Sequence, residues 1–449
     1  MINERGLLGV KGLGEIRITG GRPLRGTISI QGSKNAALPM MAAALLHKGV
    51  SVLRGCPFIA DVFCMEKILR SLGAVTWWEG NNLYLDCSYA DGTVISEENT
   101  GKMRSSMILL GVLLARNGKG TVGYPGGCVI GKRPVDQHLH VLKGLGSYII
   151  KEEGFLEASC TGLKGSRICF EKRSVGATEQ GILAAVTAEG KTTLLNCARE
   201  PEIIWLCRYL RRMGAEIKGE GKNCIEINGV KNLKAGDMKV PPDRIVAGTY
   251  ICAAAATRGT IIIENPPEGE LDAFLKVYRK MGGQYIRKSG KLIADGRGTA
   301  YPVPYLETEV YPGFPTDLQS PLMAVLTTVS GVSCIQETIF EDRFKAAEEL
   351  KRMGARIAVS GRQARITGGY PLHGCRVAAG ELRGGAALII AALAAQGESI
   401  VEGSSFICRG YQNICEDLAV LGGQIKKDTG TAFYENIEIQ KKNKHYRQT

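Results

Sequence analysis

Long apolar runs are missing from this 449-residue sequence. The longest, such as Ala386–Ala395 and Ile251–Ala256, fall well short of the roughly 20 residues a membrane-spanning helix needs. Met1–Gly14 carries charges and glycines but no apolar stretch leading to a small-residue cleavage site, so a secretory signal is not expected there. A soluble, cytoplasmic protein is the expectation. Aromatic residues make up only 6% of the chain, and no basic stripe with interleaved aromatics occurs, which argues against a nucleic-acid binder. The fourteen cysteines include no CxxC pair and no histidine at metal-ligand spacing. Most of them read as buried, reduced thiols rather than as a disulfide framework or a metal site.

What the chain has is charge and repetition. Its formal net charge of +13 is spread along its length, apart from the tail Lys441–Arg447, which reads as a solvated terminus. Such a balance suits an enzyme that draws in small anionic substrates. A charged amphipathic phrase ending in Leu or Met before Gly recurs six times, at Gly73, Gly146, Gly214, Gly282, Gly354 and Gly422, with spacings of 73, 68, 68, 72 and 68 residues. Each glycine falls where a helix should end in a left-handed cap before a short strand. A second phrase, apolar and rich in small residues, keeps the same register: Asn35–Leu46, Met103–Asn117, Ala177–Glu189, Arg244–Arg258, Asp317–Ser330 and Leu382–Gln396. Being apolar nearly all round, these six helices should lie inside, with the charged ones outside.

The expected fold class is therefore α/β: two inside-out, barrel-like domains, each of three repeated units around buried inner helices. Val240-Pro241-Pro242-Asp243 interrupts the pattern after the third unit. The opening stretch Gly14–Ile30 precedes the first inner helix and is expected to pair with the last unit. That predicts a discontinuous domain, 1–33 plus 242–449, with 34–241 inserted.

Several inner helices open on a charged or polar residue: Lys34-Asn35, Arg104, Thr178, Arg244, Asp317 and Arg383. Helix N-termini already favour anions, and Lys or Arg strengthens such a site. If these ends face one cleft, it becomes a cationic trap. Tyr124–Asp136 is the strongest local signal, because Gly126-Gly127 before Cys128 and Gly131 after it make a loop, and Lys132 and Arg133 would lower the thiol pKa. Asp317 fits either an N-cap or a general base. Arg343, Arg383 and Arg409 suit a bidentate grip on carboxylate or phosphate, and equally suit salt bridges.

Taken together, Gly32–Ala37, Met103–Ser106, Pro125–Asp136, Ser174–Thr178, Ala198–Glu202, Pro242–Arg244, Phe314–Asp317 and Arg409–Tyr411 closely resemble the enolpyruvyl transferase family, in its UDP-N-acetylglucosamine 1-carboxyvinyltransferase branch. The resemblance runs from about Ile18 to about Ile439. It implies transfer of the enolpyruvyl group of phosphoenolpyruvate to the sugar 3-hydroxyl of UDP-N-acetylglucosamine, by addition and then elimination of phosphate, at the start of peptidoglycan precursor synthesis. It also implies roles. Asp317 takes the hydroxyl proton, and Cys128 protonates the enolpyruvyl methylene or assists product release and can hold phosphoenolpyruvate as a thioketal. Lys34, Arg133 and Arg409 resemble phosphate grips with Asn35 beside them, and Arg343 and Arg383 resemble arginines that hold phosphoenolpyruvate and close the cleft. The nucleotide sugar would lie along Arg104, Arg133, Pro134, Val135, Asp136, Gln137, Lys172, Arg173, Ser174, Val175, Asp317 and Ile339. No cofactor, metal, nucleic acid or membrane partner is implied.

Two stretches depart from the family's usual pattern. Glu381-Leu382-Arg383 stands where Asp-Leu-Arg is common, and Phe406-Ile407-Cys408-Arg409-Gly410-Tyr411 where His-Ile-Asp-Arg-Gly-Tyr is common. The second change is expected to leave Arg409 less firmly oriented, and both fit a secondary paralogue. The competing activities are the sister enzyme 5-enolpyruvylshikimate-3-phosphate synthase, which lacks the Gly-Gly-Cys loop, and a ligand-binding regulator without turnover.

Overall fold

A computed structural model describes residues 14–101, 103–124, 130–131 and 134–427. Two kinds of helix alternate along them. The inner ones are α1 (Lys34–Ala44), α3 (Ile108–Asn117), α5 (Val175–Ala185), α7 (Arg244–Ala256), α9 (Gln319–Thr327) and α11 (Leu382–Ala394). The outer ones are α2 (Ala60–Ser71), α4 (Asp136–Gly144), α6 (Pro201–Arg212), α8 (Asp272–Lys280), α10 (Ala346–Arg352) and α12 (Ile414–Val420). None is long and apolar enough to cross a membrane.

The outer helices end as their sequence predicts. Gly73, Gly146, Gly214, Gly282, Gly354 and Gly422 all take positive φ, between 88° and 100°, a region that costs side-chain-bearing residues dearly. The inner helices are buried almost throughout, and small residues let them approach closely: a Cβ on Gly248 of α7 would lie 2.5 Å from Leu318. The stretch predicted as one helix from Asp317 to Ser330 is instead a 3₁₀ turn, Thr316–Leu318, followed by α9. Pro321 explains how α9 still starts there, since its missing N–H falls in a first turn that has no intrahelical acceptor.

Each inner helix sits beneath a four-stranded sheet with one parallel and two antiparallel pairings. In four units the strand before the inner helix pairs in parallel with the strand after it, as Arg376–Ala378 does with Glu398–Glu402 around α11. The other two units exchange these leading strands. Arg25–Ser29, which precedes α1, pairs with Thr260–Glu264 after α7, whereas Asp237–Lys239, which precedes α7, pairs with Val50–Arg54 after α1. Ile16–Thr19 completes the last unit's sheet between Glu398–Glu402 and Gln424–Lys427. One apolar core accordingly draws on residues between 36 and 240, and the other on residues 16–30 with 245–425.

The exchange forces two extended segments to cross. Gly32 bridges Pro242, Ser33 N–H donates to Pro241 O at 2.7 Å, and Asp243 N–H donates to Gln31 O at 2.9 Å. Asp243 serves both cores at once. Its Oδ1 accepts from Ile245 and Val246 at the start of α7, and its Oδ2 accepts from Lys34 N–H at the start of α1, 3.0 Å away. Asp243→Ala, which strips three N–H groups of their acceptor, is expected to lower the unfolding free energy by about 2–4 kcal/mol. Asp243→Asn keeps one acceptor oxygen and should lose less than half as much in urea denaturation; equal losses would contradict the shared-cap account.

Candidate active site between the two cores

Because α1 and α7 start at the crossing, their N-terminal ends open on one cavity of about 590 Å³ lined by residues of both cores. Its walls include Lys34, Asn35, Arg104, Pro134, Asp136, Gln137, Lys172, Arg173, Ser174, Val175, Asp317, Ile339, Arg343, Arg383 and Arg409. Val135 does not line it. That side chain packs against the apolar core. Cys128 and Arg133 lie outside the described residues, as does Lys132. Ile130 and Pro134, which flank them, do line the cavity, and Ile130 O accepts from Asp342 N–H of the other core at 3.0 Å.

Asp317 is the centre of the cationic part. Arg343 Nη2 reaches its Oδ1 at 2.6 Å and Arg383 Nη2 its Oδ2 at 3.1 Å, with both arginines all but buried and the Asp317 side chain 28% exposed. Burial alone would raise the Asp317 pKa, but Arg383, Arg343 and Lys34 outweigh it and hold the carboxyl well below the usual carboxylate range. Arg343 Nε and Arg383 Nη1 have no hydrogen-bond partner among the described residues. Buried guanidinium donors of this kind suit an incoming carboxylate or phosphate. Glu381 keeps Arg383 in place by capping α11, accepting from the N–H groups of Arg383 and Gly384.

A second carboxylate, which sequence reasoning missed, organises the neighbouring cations. Asp61 of α2, with 7% of its side chain exposed, takes Lys34 Nζ at 3.2 Å from its own core and Arg409 Nε at 2.8 Å from the other. Arg409 is thus oriented across the cleft, and the expected looseness beside Phe406 and Cys408 is not observed. Cys408 itself supports this contact, because its carbonyl accepts from Ala60 N–H at 2.9 Å. In sequence Asp61 reads only as an acid in the first turn of an outer helix, favourable to the helix dipole.

The remaining predicted positions form a longer wall. Arg104 donates to Pro134 O at 2.8 Å, and Gln137 Oε1 accepts from Glu171 N–H at 3.0 Å, next to Lys172. Gln137 also holds the Asp136 pKa below its ordinary value by hydrogen bonding. Arg173 is tied to Asn196 and Asn223, and Ser174 caps α5 by accepting from Ala177 N–H. Ile339 N–H donates to Glu337 Oε1 at 2.8 Å, fixing that backbone at the cavity edge. Two predicted helix-start groups do other work. Thr178 is buried in the fourth position of α5 and accepts from Ala198 N–H, and Arg244 is paired with Glu202 at 3.0 Å. Among the described residues no His, Cys, Asp and Glu side chains are grouped to hold a metal ion.

With this geometry established, similarity to known proteins is informative. The EPSP synthase (3-phosphoshikimate 1-carboxyvinyltransferase) family model matches residues 18–418. The UDP-N-acetylglucosamine 1-carboxyvinyltransferase 2 of Caldanaerobacter subterraneus subsp. tengcongensis is 42% identical over 419 residues, covering 92% of this chain and 99% of that one. The UDP-N-acetylglucosamine 1-carboxyvinyltransferase of Halothermothrix orenii is 43% identical over 417 residues, covering 92% and 100%. Among solved structures, the enolpyruvyl transferase NikO from Streptomyces tendae superposes with a TM-score of 0.83 at 26% identity, over 93% of this chain and 99% of that one. EPSP synthase from Acinetobacter baumannii gives 0.72 at 19% identity over 93% and 100%, a likeness of fold alone. The chain belongs to the EPSP synthase family of enolpyruvyl transferases.

Proposed function

We propose that this enzyme transfers the enolpyruvyl group of phosphoenolpyruvate to the 3-hydroxyl of UDP-N-acetylglucosamine, releasing phosphate, in the cytoplasm at the first committed step of peptidoglycan precursor synthesis. Residues 34–241 would form one domain and 1–33 with 242–449 the other, the cavity between them being the active site. The observation that carries the reading is Asp317 held between two buried arginines beside the Lys34–Asp61–Arg409 bridge. It supplies several fixed cations and, in Asp317, a carboxylate placed among them, as a reaction between two anions requires.

In this mechanism the phosphate of phosphoenolpyruvate lies on Lys34, Arg409 and Arg133, and its carboxylate on Arg343 and Arg383. The sugar hydroxyl oxygen attacks C2 while its proton passes to Asp317, and Cys128 delivers a proton to the C3 methylene. The resulting tetrahedral adduct then returns a C3 proton to the Cys128 thiolate and loses phosphate, which restores the C2–C3 double bond on the sugar oxygen. Doubly paired with arginine, Asp317 is a weak base. The arriving carboxylate competes for both guanidinium groups, which raises the Asp317 pKa when a base is needed. Substrate binding and base activation are then one event. The remaining wall, from Arg104 to Val175 and Ile339, carries the nucleotide.

Phosphate release with each acceptor tests the assignment. Turnover is expected with UDP-N-acetylglucosamine and not with shikimate 3-phosphate; the opposite pattern would replace the assignment with the sister activity, and tight acceptor binding without phosphate release would mark a regulator. Asp317→Asn keeps the size of the side chain but removes its basicity, so kcat should fall by roughly 10²–10⁴-fold with little change in the KM for the nucleotide sugar. A loss under tenfold would remove Asp317 from the proton transfer.

A further inference from the structure

The cavity has an acidic stretch of wall to which the proposed mechanism gives no work. Glu202 gives its oxygens to Arg244, at 3.0 and 3.4 Å, and Glu200 accepts from the backbone N–H groups of Arg199 and Tyr311. Glu179 lies beside them on α5, lines the cavity and is only 7% exposed. It makes no hydrogen bond or ion pair with any described residue. Leaving a buried carboxyl unpartnered is costly, so it is rarely kept without a use. The repeat sharpens the point. Glu179 is the fifth residue of its inner helix, and the fifth residues of the three others that start without a 3₁₀ turn are Leu38, Gly248 and Ala386. Packing at this position calls for an apolar or small residue, and only here does a carboxyl stand.

We propose that Glu179 is a specificity-determining residue that hydrogen-bonds an uncharged oxygen of the acceptor, a hydroxyl or amide carbonyl of its sugar. This rests on the functional reading above and extends it to a group that none of the nucleotide or phosphate contacts includes. Burial, followed by the charges of Glu202 and Glu200, pushes the Glu179 pKa well up. The shift favours the protonated form, which can donate to a neutral oxygen as well as accept from a hydroxyl. Arg244, beside this stretch, is committed to Glu202 and so offers no free charge to an anionic group of phosphoenolpyruvate. The cavity then sorts its substrates by charge: anions at the arginines, uncharged polar groups at Glu179.

Steady-state kinetics on the full chain tests this with three variants. Glu179→Gln, neutral and still both donor and acceptor, should keep the KM for UDP-N-acetylglucosamine within about threefold of wild type. Glu179→Leu should raise that KM by about tenfold or more, the scale of one lost hydrogen bond to a buried group, while the KM for phosphoenolpyruvate moves less than twofold. Glu179→Asp, which draws the carboxyl back by one methylene, should raise the acceptor KM by about threefold or more and decides the matter if the leucine variant fails to fold. An unchanged acceptor KM in the leucine or aspartate variant, or equal rises in both substrates' KM values, would overturn the proposal. Wild-type enzyme that does not turn over UDP-N-acetylglucosamine at all defeats the functional reading and this subsite together, whereas normal wild-type turnover with an indifferent Glu179 defeats the subsite alone.

Discussion

Two extended segments that cross at Gly32 and Pro242 constrain everything else in this molecule. Each leads from a strand that belongs to one core into an inner helix that belongs to the other, so neither core can complete its sheets alone. The crossing also fixes where α1 and α7 begin, and Asp243 caps both starts with one carboxylate. Two helix N-termini, with the positive ends of their dipoles and the Lys34 side chain, are thereby brought to one place. An anion-binding cleft is what such an arrangement produces.

Within the cleft, charge is balanced by carboxylates that a substrate can displace or exploit. Asp61 holds Lys34 and Arg409 together across the gap, and Asp317 holds Arg343 and Arg383 together within one core. Removing either carboxylate would leave buried cations facing one another, which is strongly unfavourable in a low dielectric. The same logic bears on the spare guanidinium donors at Arg343 and Arg383, whose complement in the proposed mechanism is the ligand. Reactivity and stability therefore draw on one set of ion pairs.

Much of the fold was legible because repetition averages out local ambiguity. Six glycines at near-constant spacing, each in the left-handed region, mark six helix ends that a single unit would have signalled only weakly. Inner and outer helices separate by composition for the same reason. The exchange of leading strands was not legible, since Arg25–Ser29 and Asp237–Lys239 carry the same alternation as strands that pair locally. The site divides similarly. Lys34, Arg343, Arg383 and Asp317 stand at or beside element ends and invite attention, whereas Asp61 matters only because Arg409, 348 residues away, reaches it. Thr178 shows the opposite error, a polar helix-start group whose partner is the distant backbone of Ala198. Long-range pairing decided each of these.

The central claim is that arriving anions take Arg343 and Arg383 from Asp317 and so turn an inert carboxylate into a base. A crystal structure with phosphoenolpyruvate or a non-reacting analogue and UDP-N-acetylglucosamine tests this most directly. The account predicts the carboxylate on Arg343 and Arg383, the phosphate on Lys34 and Arg409, and Asp317 released from at least one arginine and within hydrogen-bond distance of the sugar 3-hydroxyl. An Asp317 still paired to both arginines with ligands in place, or ligands seated away from these residues, would contradict it.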